Sequence, residues 1–179
     1  LDEQERERLL KACKESRSSF LYIIVVLALS TGMRKGEVLG LRWRDIDFHN
    51  RRIVIHETKN GERRAVPLVA ISLQLIEQLK AKGFDSMDDF IFHSPENKTK
   101  CCCVRTAWEK AIKRSAITDF RFHDLRHCTA SYLAMSGATL LEIADILGHK
   151  TLQMVKRYSH LSEDHKATVL EKMNKNIFG

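Results

Sequence analysis

Ten consecutive apolar residues, FLYIIVVLAL at positions 20–29, set the interior of this chain. A membrane-spanning helix needs about 20 such residues, so the run reads as a buried helix instead. Ser18 or Ser19 is placed to cap it, and it continues to about Ser30 before Gly32 breaks it. Being apolar on most sides, it belongs at the centre of a core, with other elements packed around it.

Those elements are predicted by their own patterns. Asp2 and Glu5 have the spacing of an N-cap and its third-position partner, ahead of a helix to about Glu15. Leu9, Leu10 and Cys13 share one face of it. A short helix from Lys35 to Leu41 follows the Gly32 break. Residues 52–56 (RIVIH) and 63–69 (RRAVPLV) read as strands, joined through an Asn60-Gly61 turn signal. Residues 45–48 (DIDF) add a short first strand, and Pro67 puts its own strand at an edge.

The remainder reads as mainly helical. Ser72 is placed to cap a helix to Ala81. Residues 83–98 read as a loop with an extended piece at Phe90-Ile91-Phe92, and 100–114 as a helix. One helix opens at Phe122-His123-Asp124 and ends near Gly137, and another runs from Thr139 to Leu147. A turn or two follows from Thr151 to Arg157, with a last helix from Ser162 to about Asn174. The expected fold is α+β and mainly α-helical: one domain with a small antiparallel three-stranded sheet.

Charge narrows the partners. Thirty Lys and Arg against 23 Asp and Glu give a net charge of +7, which favours a polyanion. Five cysteines, three of them adjacent at 101–103, do not form a disulfide framework and read as reduced thiols. Neighbouring thiols point in different directions, and no second pair stands at zinc-ligand spacing. Asp85, Asp88 and Asp89 fall in a polar loop and read as surface, so no metal and no cofactor is expected. The opening stretch LDEQERERLL is already helix-like, which suggests a piece of a longer protein.

Several polar residues each admit two readings. Arg34 follows the Gly32 break; it either pairs with Glu37 at the core edge or clamps a phosphate through its planar fork. Lys59, beside the hairpin turn, is either a solvated lysine or an ammonium delivered to a scissile bond. In FRFHDLRH (120–127), His123 and Arg126 share a helical face. They line a DNA-backbone face or take part in chemistry, and His127 is either a hydrogen-bonded core residue or part of the same group. His123 and His127 have half the spacing of a metal site, but no Glu lies between them and Arg126 would repel a cation. His149 and Tyr158 lie across the Gly148 break. Tyr158 either packs in a basic helix or attacks phosphorus. A phenol, with a reference pKa near 10, attacks only if its proton is removed and the developing charge is stabilised.

The ordered set resembles the tyrosine recombinases, the phage-integrase family, in their C-terminal catalytic domain, over nearly all 179 residues. TGMRKGEVLGLRWRDID (31–47) resembles the first family motif and gives Arg34. TKNGERRAVPL (58–68) resembles the hairpin of the family lysine and gives Lys59. HDLRH (123–127) gives His123 and Arg126, LGH (147–149) gives His149, and the stretch ending Y-S-H gives Tyr158.

The resemblance implies DNA cleavage and rejoining without metal or cofactor. Tyr158 would attack a backbone phosphate to form a 3′-phosphotyrosyl link. Arg34 and Arg126 would hold the nonbridging oxygens, and Lys59 would protonate the leaving 5′-oxygen. His123 would take or share the tyrosine proton, and His149 would hydrogen-bond the phosphate. It further implies an excised catalytic domain, residues 1–179, lacking the core-binding and arm-binding domains. The implied partner is double-stranded DNA bearing specific recombination sites, bound by a tetramer on paired sites, with DNA-bending accessory proteins and no membrane. The implied location is the bacterial cytoplasm, at the nucleoid. Three other classes use parts of this pattern: a topoisomerase with the same tyrosine chemistry, a DNA-binding domain without chemistry, and a metal-dependent nuclease.

Overall fold

The computed structural model describes residues 1–56 and 63–179, the side chains of 161–169 excepted. Lys59 and the Asn60-Gly61 turn lie outside the described residues. What is described falls into two compact units, Leu1–Arg126 and His127–Gly179.

The first unit is built on the apolar run. Helix α2 (Leu21–Thr31) buries Leu21, Ile24, Val25 and Leu27 completely. Truncating one such side chain to Ala typically costs about 2–5 kcal/mol. Around it pack α1 (Glu3–Lys14), α3 (Lys35–Leu39) and α4 (Ala70–Ala81), while α5 (Arg105–Ser115) lies against α1. Asp2 and Glu5 form the expected capping box of α1. The cap of α2 differs from expectation: Phe20 holds the N-cap position, without a side-chain hydrogen bond. Its ring packs edge-on against Phe92 and His93, so aromatic burial anchors this helix start in place of a serine hydroxyl. Ser18 closes the entering turn through its backbone carbonyl, which accepts from the Leu21 N–H.

The expected antiparallel sheet is present, with strand order β1 (Ile46–Asp47), β2 (Arg52–Ile55), β3 (Arg64–Pro67). Ile46 pairs with Ile53, Ile53 with Val66, and Ile55 with Arg64. Period-2 alternation buries Ile53, Ile55 and Val66. Pro67 sits on the edge strand, where its missing N–H costs no ladder bond.

Two further expectations are corrected in this unit. Ser72 stands inside α4, at its third residue, with Val69 at the N-cap; its hydroxyl still accepts from the Val69 N–H. Residues 97–98, expected in a loop, and 100–101, expected to open a helix, belong instead to one strand: β5 (Asn97–Cys101) pairs with β4 (His93–Ser94), and α5 begins only at Arg105. Asn97 Oδ1 accepts from both the N–H and the hydroxyl of Thr99, a local bond that competes with helix formation.

The unit boundary falls inside α6 (Asp124–Met135). In the second unit, Thr139 and Glu142 form a capping box for α7 (Leu140–Leu147). Gly148 ends that helix at φ +65°, and the His149 N–H reaches back to the Ala144 carbonyl. Short 3-10 helices at Leu152–Met154 and Lys156–Ser162 lead to α8 (Glu163–Phe178). A small core joins Ala130, Ala134, Ile143, Leu147, Val155 and Tyr158. Among the described residues, no helix is long and apolar enough to cross a membrane.

Candidate active site

In the first unit the site grows from the end of α2. Gly32 adopts φ +65° there, a conformation that costs a residue with a Cβ roughly 1 kcal/mol. Thr31 braces the turn, since its hydroxyl accepts from the Met33 N–H. The chain leaves extended at Arg34, which becomes the N-cap of α3. Glu37, one turn on, then gathers three donors. Its Oε1 accepts from Arg34 Nη1 at 2.9 Å; its Oε2 accepts from the Arg34 N–H and from Arg64 Nη2, each at 2.8 Å. The Glu37 side chain is 8% exposed and that of Arg64 11%, whereas Arg34 remains 27% exposed. Burial alone would raise the Glu37 pKa. The Arg34 N–H and the two guanidinium groups outweigh it and hold the carboxyl below its usual range. The ion-pair reading of Arg34 is therefore correct, and its partly open guanidinium leaves the phosphate reading standing beside it.

Arg126 belongs to the same turn. It is buried, 4% exposed, and its Nη1 donates to the Gly32 carbonyl at 2.6 Å. A buried guanidinium needs such partners, and this one is fixed two residues ahead of Arg34. His123 is exposed, one residue before α6, and its carbonyl accepts from the Arg126 N–H at 3.1 Å. The Asp124 carboxylate accepts from the Arg121 N–H at 2.7 Å and closes the turn that presents His123.

In the second unit Tyr158 is 6% exposed and packs in the small core. Its hydroxyl lies 2.6 Å from His127 Nδ1. Packing and polar contact thus coexist: the ring is a core residue and the oxygen is hydrogen-bonded. His149 is half-buried, placed directly after the left-handed Gly148 by its backbone bond to Ala144.

The sequence-derived set omits three residues that the geometry brings in. Glu37 is tied to Arg34, Arg64 to Glu37, and His127 to Tyr158. Glu37 carries a sequence signal, the third-position carboxylate of a capping pattern. His127 and Tyr158 are 31 positions apart, and no local periodicity links them.

With this geometry in place, comparison with known proteins defines the class. The model of the phage integrase family matches residues 1–165, and the chain belongs to that family. The integrase of Salmonella phage P22 is 33% identical over 190 aligned positions, covering all of this chain and 48% of that protein. A shufflon-specific DNA recombinase of Escherichia coli is 37% identical, covering 90% of this chain and 40% of the other. The chain thus spans about half the length, or less, of these relatives. Among solved structures, the catalytic domain of bacteriophage HP1 integrase superimposes with a TM-score of 0.76 at 25% identity, covering all of this chain and 97% of that one.

Proposed function

We propose that residues 1–179 are the catalytic domain of a site-specific tyrosine recombinase, which cleaves and rejoins DNA by transesterification. The observation that carries this reading is the 2.6 Å hydrogen bond between Tyr158 and His127, because it gives the phenol a partner able to receive its proton. With Nδ1 unprotonated, His127 accepts from the hydroxyl. This favours His127 over His123 for taking or sharing the tyrosine proton as the oxygen attacks phosphorus. A P–Oη bond forms and the P–O5′ bond breaks, leaving a 3′-phosphotyrosyl link. Lys59 supplies the proton for the departing 5′-oxygen.

Arg34 and Arg126 hold the nonbridging oxygens as charge builds there, each worth about 3 kcal/mol in the transition state. His123 and His149 hydrogen-bond the same phosphate. Attack of a different 5′-hydroxyl on the link reverses the step and joins new partners. One phosphodiester replaces another throughout, so the reaction needs no ATP, and the two arginines supply the charge stabilisation that a metal would otherwise provide. The substrate is double-stranded DNA with specific recombination sites, held in pairs by a tetramer and bent by accessory proteins. The enzyme works in the bacterial cytoplasm, at the nucleoid. The nearly end-to-end coverage of an isolated integrase catalytic domain supports the domain assignment.

The test is a nicked suicide substrate bearing candidate core sites, incubated in EDTA. A covalent protein–DNA adduct supports the reading, and cleavage that requires a divalent metal overturns it. Exchange between paired sites, as opposed to relaxation of a single supercoiled molecule, separates recombinase from topoisomerase.

A further inference from the structure

We infer that Lys35 binds the phosphate next to the scissile one on the cleaved strand. The inference rests on the function proposed above and adds a DNA-binding residue to it. Lys35 follows Arg34 directly and is the first residue of α3. It is exposed, and its Nζ stands 5.7 Å from the centroid of the Phe122 ring. Phe122 is buried and meets Trp108 edge-on, so the surface under the ammonium is fixed by the core. His123 is the next residue after Phe122, and the bond from Arg126 to the Gly32 carbonyl ties the same two chain segments together. Lys35 therefore lies at the seam between the turn of Arg34 and the turn of His123, beside the groups proposed to hold the scissile phosphate.

The charge at this seam is not cancelled. Glu37 pairs with Arg34 and with Arg64. Among the described residues, no carboxylate is paired with Lys35. A ring attracts a cation through its quadrupole and carries no net charge, so the contact with Phe122 holds the ammonium without neutralising it. Each strand of duplex DNA carries a phosphate about every 3.4 Å of helix axis. A cation beside the clamp of one phosphate therefore meets its neighbour. Lysine suits that neighbour, because a phosphate that only has to be held needs a point charge and no planar fork.

The experiment measures equilibrium binding of core-site duplexes in a Tyr158→Phe background, where no covalent link forms, and single-turnover cleavage with Tyr158 intact. Lys35→Met keeps the aliphatic stem on Phe122 and removes the charge. It should weaken binding about 3–10-fold at about 0.15 M salt and lower the slope of log affinity against log salt by about 1. Cleavage at saturating protein should stay within about threefold of the parent, since a contact made equally before and during reaction affects binding alone. Lys35→Arg should bind like the parent. Lys80→Met is the matched control: Lys80 is exposed on α4, with its Nζ 3.8 Å from the Phe48 centroid, and its loss should leave the slope unchanged. A methylphosphonate, which removes the charge of one phosphate, locates the contact. At one of the two linkages flanking the scissile one it should weaken the parent and leave Lys35→Met no weaker than before. An unchanged slope in Lys35→Met, an equal effect of Lys80→Met, or a Lys35→Met effect that persists with methylphosphonate at either flanking linkage overturns the inference. So does a loss of about 10²-fold in cleavage at saturating protein, which would place Lys35 on the reacting phosphate itself. If the parent forms the adduct and Lys35→Met lacks this signature, only the role of Lys35 fails. If the signature is present and no adduct forms on Tyr158, the recombinase reading fails and the phosphate contact stands.

Discussion

His127 Nδ1 and Tyr158 Oη stand 2.6 Å apart in the second unit. Asn at position 127 places an amide atom near where Nδ1 sits, and Ala leaves the phenol without this partner. His127→Ala should lower single-turnover cleavage by about 10²-fold, in the range of general base catalysis. His127→Asn should retain more activity than His127→Ala. Tyr158→Phe should bind DNA and form no adduct. Mass spectrometry of the parent adduct should find it on Tyr158; an adduct on Tyr22 or Tyr132 would remove the assignment.

Arg34 and Arg126 offer planar forks that lysine cannot copy. Arg34→Lys and Arg126→Lys keep the net charge at +7, so general attraction to DNA should change little. Cleavage at saturating protein should nevertheless fall by roughly 10²-fold. Position 126 should be the more sensitive, because an ammonium must reach the Gly32 carbonyl and a phosphate from a single nitrogen, whereas the guanidinium spreads its donors over three. Arg51 is the control: it is exposed, and Arg51→Lys should be nearly silent. Arg52 is less suitable, since its Nε is paired with Asp47 at 3.0 Å. Parent-like rates in both clamp variants would refute the clamp.

Glu37 makes stability depend on acid. Its pKa is lowered on folding, so its contribution is present above the unfolded value, near 4.5, and is lost as pH falls through the folded value. Glu37→Gln should cost about 1–3 kcal/mol at pH 7, from the loss of charged hydrogen bonds. Urea midpoints of parent and variant should converge as pH is lowered below 4.5. A gap independent of pH would mean that packing, not charge, accounts for the cost.

The thiols should divide by burial. Burial pushes the Cys13 thiol up to about 12 and that of Cys102 to about 11, which leaves little thiolate at pH 8. Cys101 and Cys103 are exposed. Iodoacetamide at pH 8 should therefore label Cys101 and Cys103 well before Cys13 and Cys102, as read by peptide mass spectrometry. Early labelling of Cys13 would mean that α1 opens from the core.

The features that depend on local physics were legible from the residues alone. The apolar run at 20–29 could only be a buried helix, Gly32 and Gly148 ended their helices, period-2 alternation set the buried face of the sheet, and the missing N–H of Pro67 put its strand at the edge. The family was legible because its signature is an ordered set of residue types in fixed local contexts. Local chemistry misplaced the cap of α2 and the start of α5, where an aromatic contact and a short hairpin outweighed the serine and helix signals. Tertiary structure alone decided which polar groups meet. Arg64 reaches Glu37 from 27 positions away, His127 meets Tyr158 across 31, and Arg126 finds the Gly32 carbonyl across 94. Hydrogen bonds act over about 3 Å, and no periodicity in the chain encodes a meeting at that range between distant segments. Such contacts exist only once the core has brought the segments together and excluded the water that would otherwise satisfy each group alone.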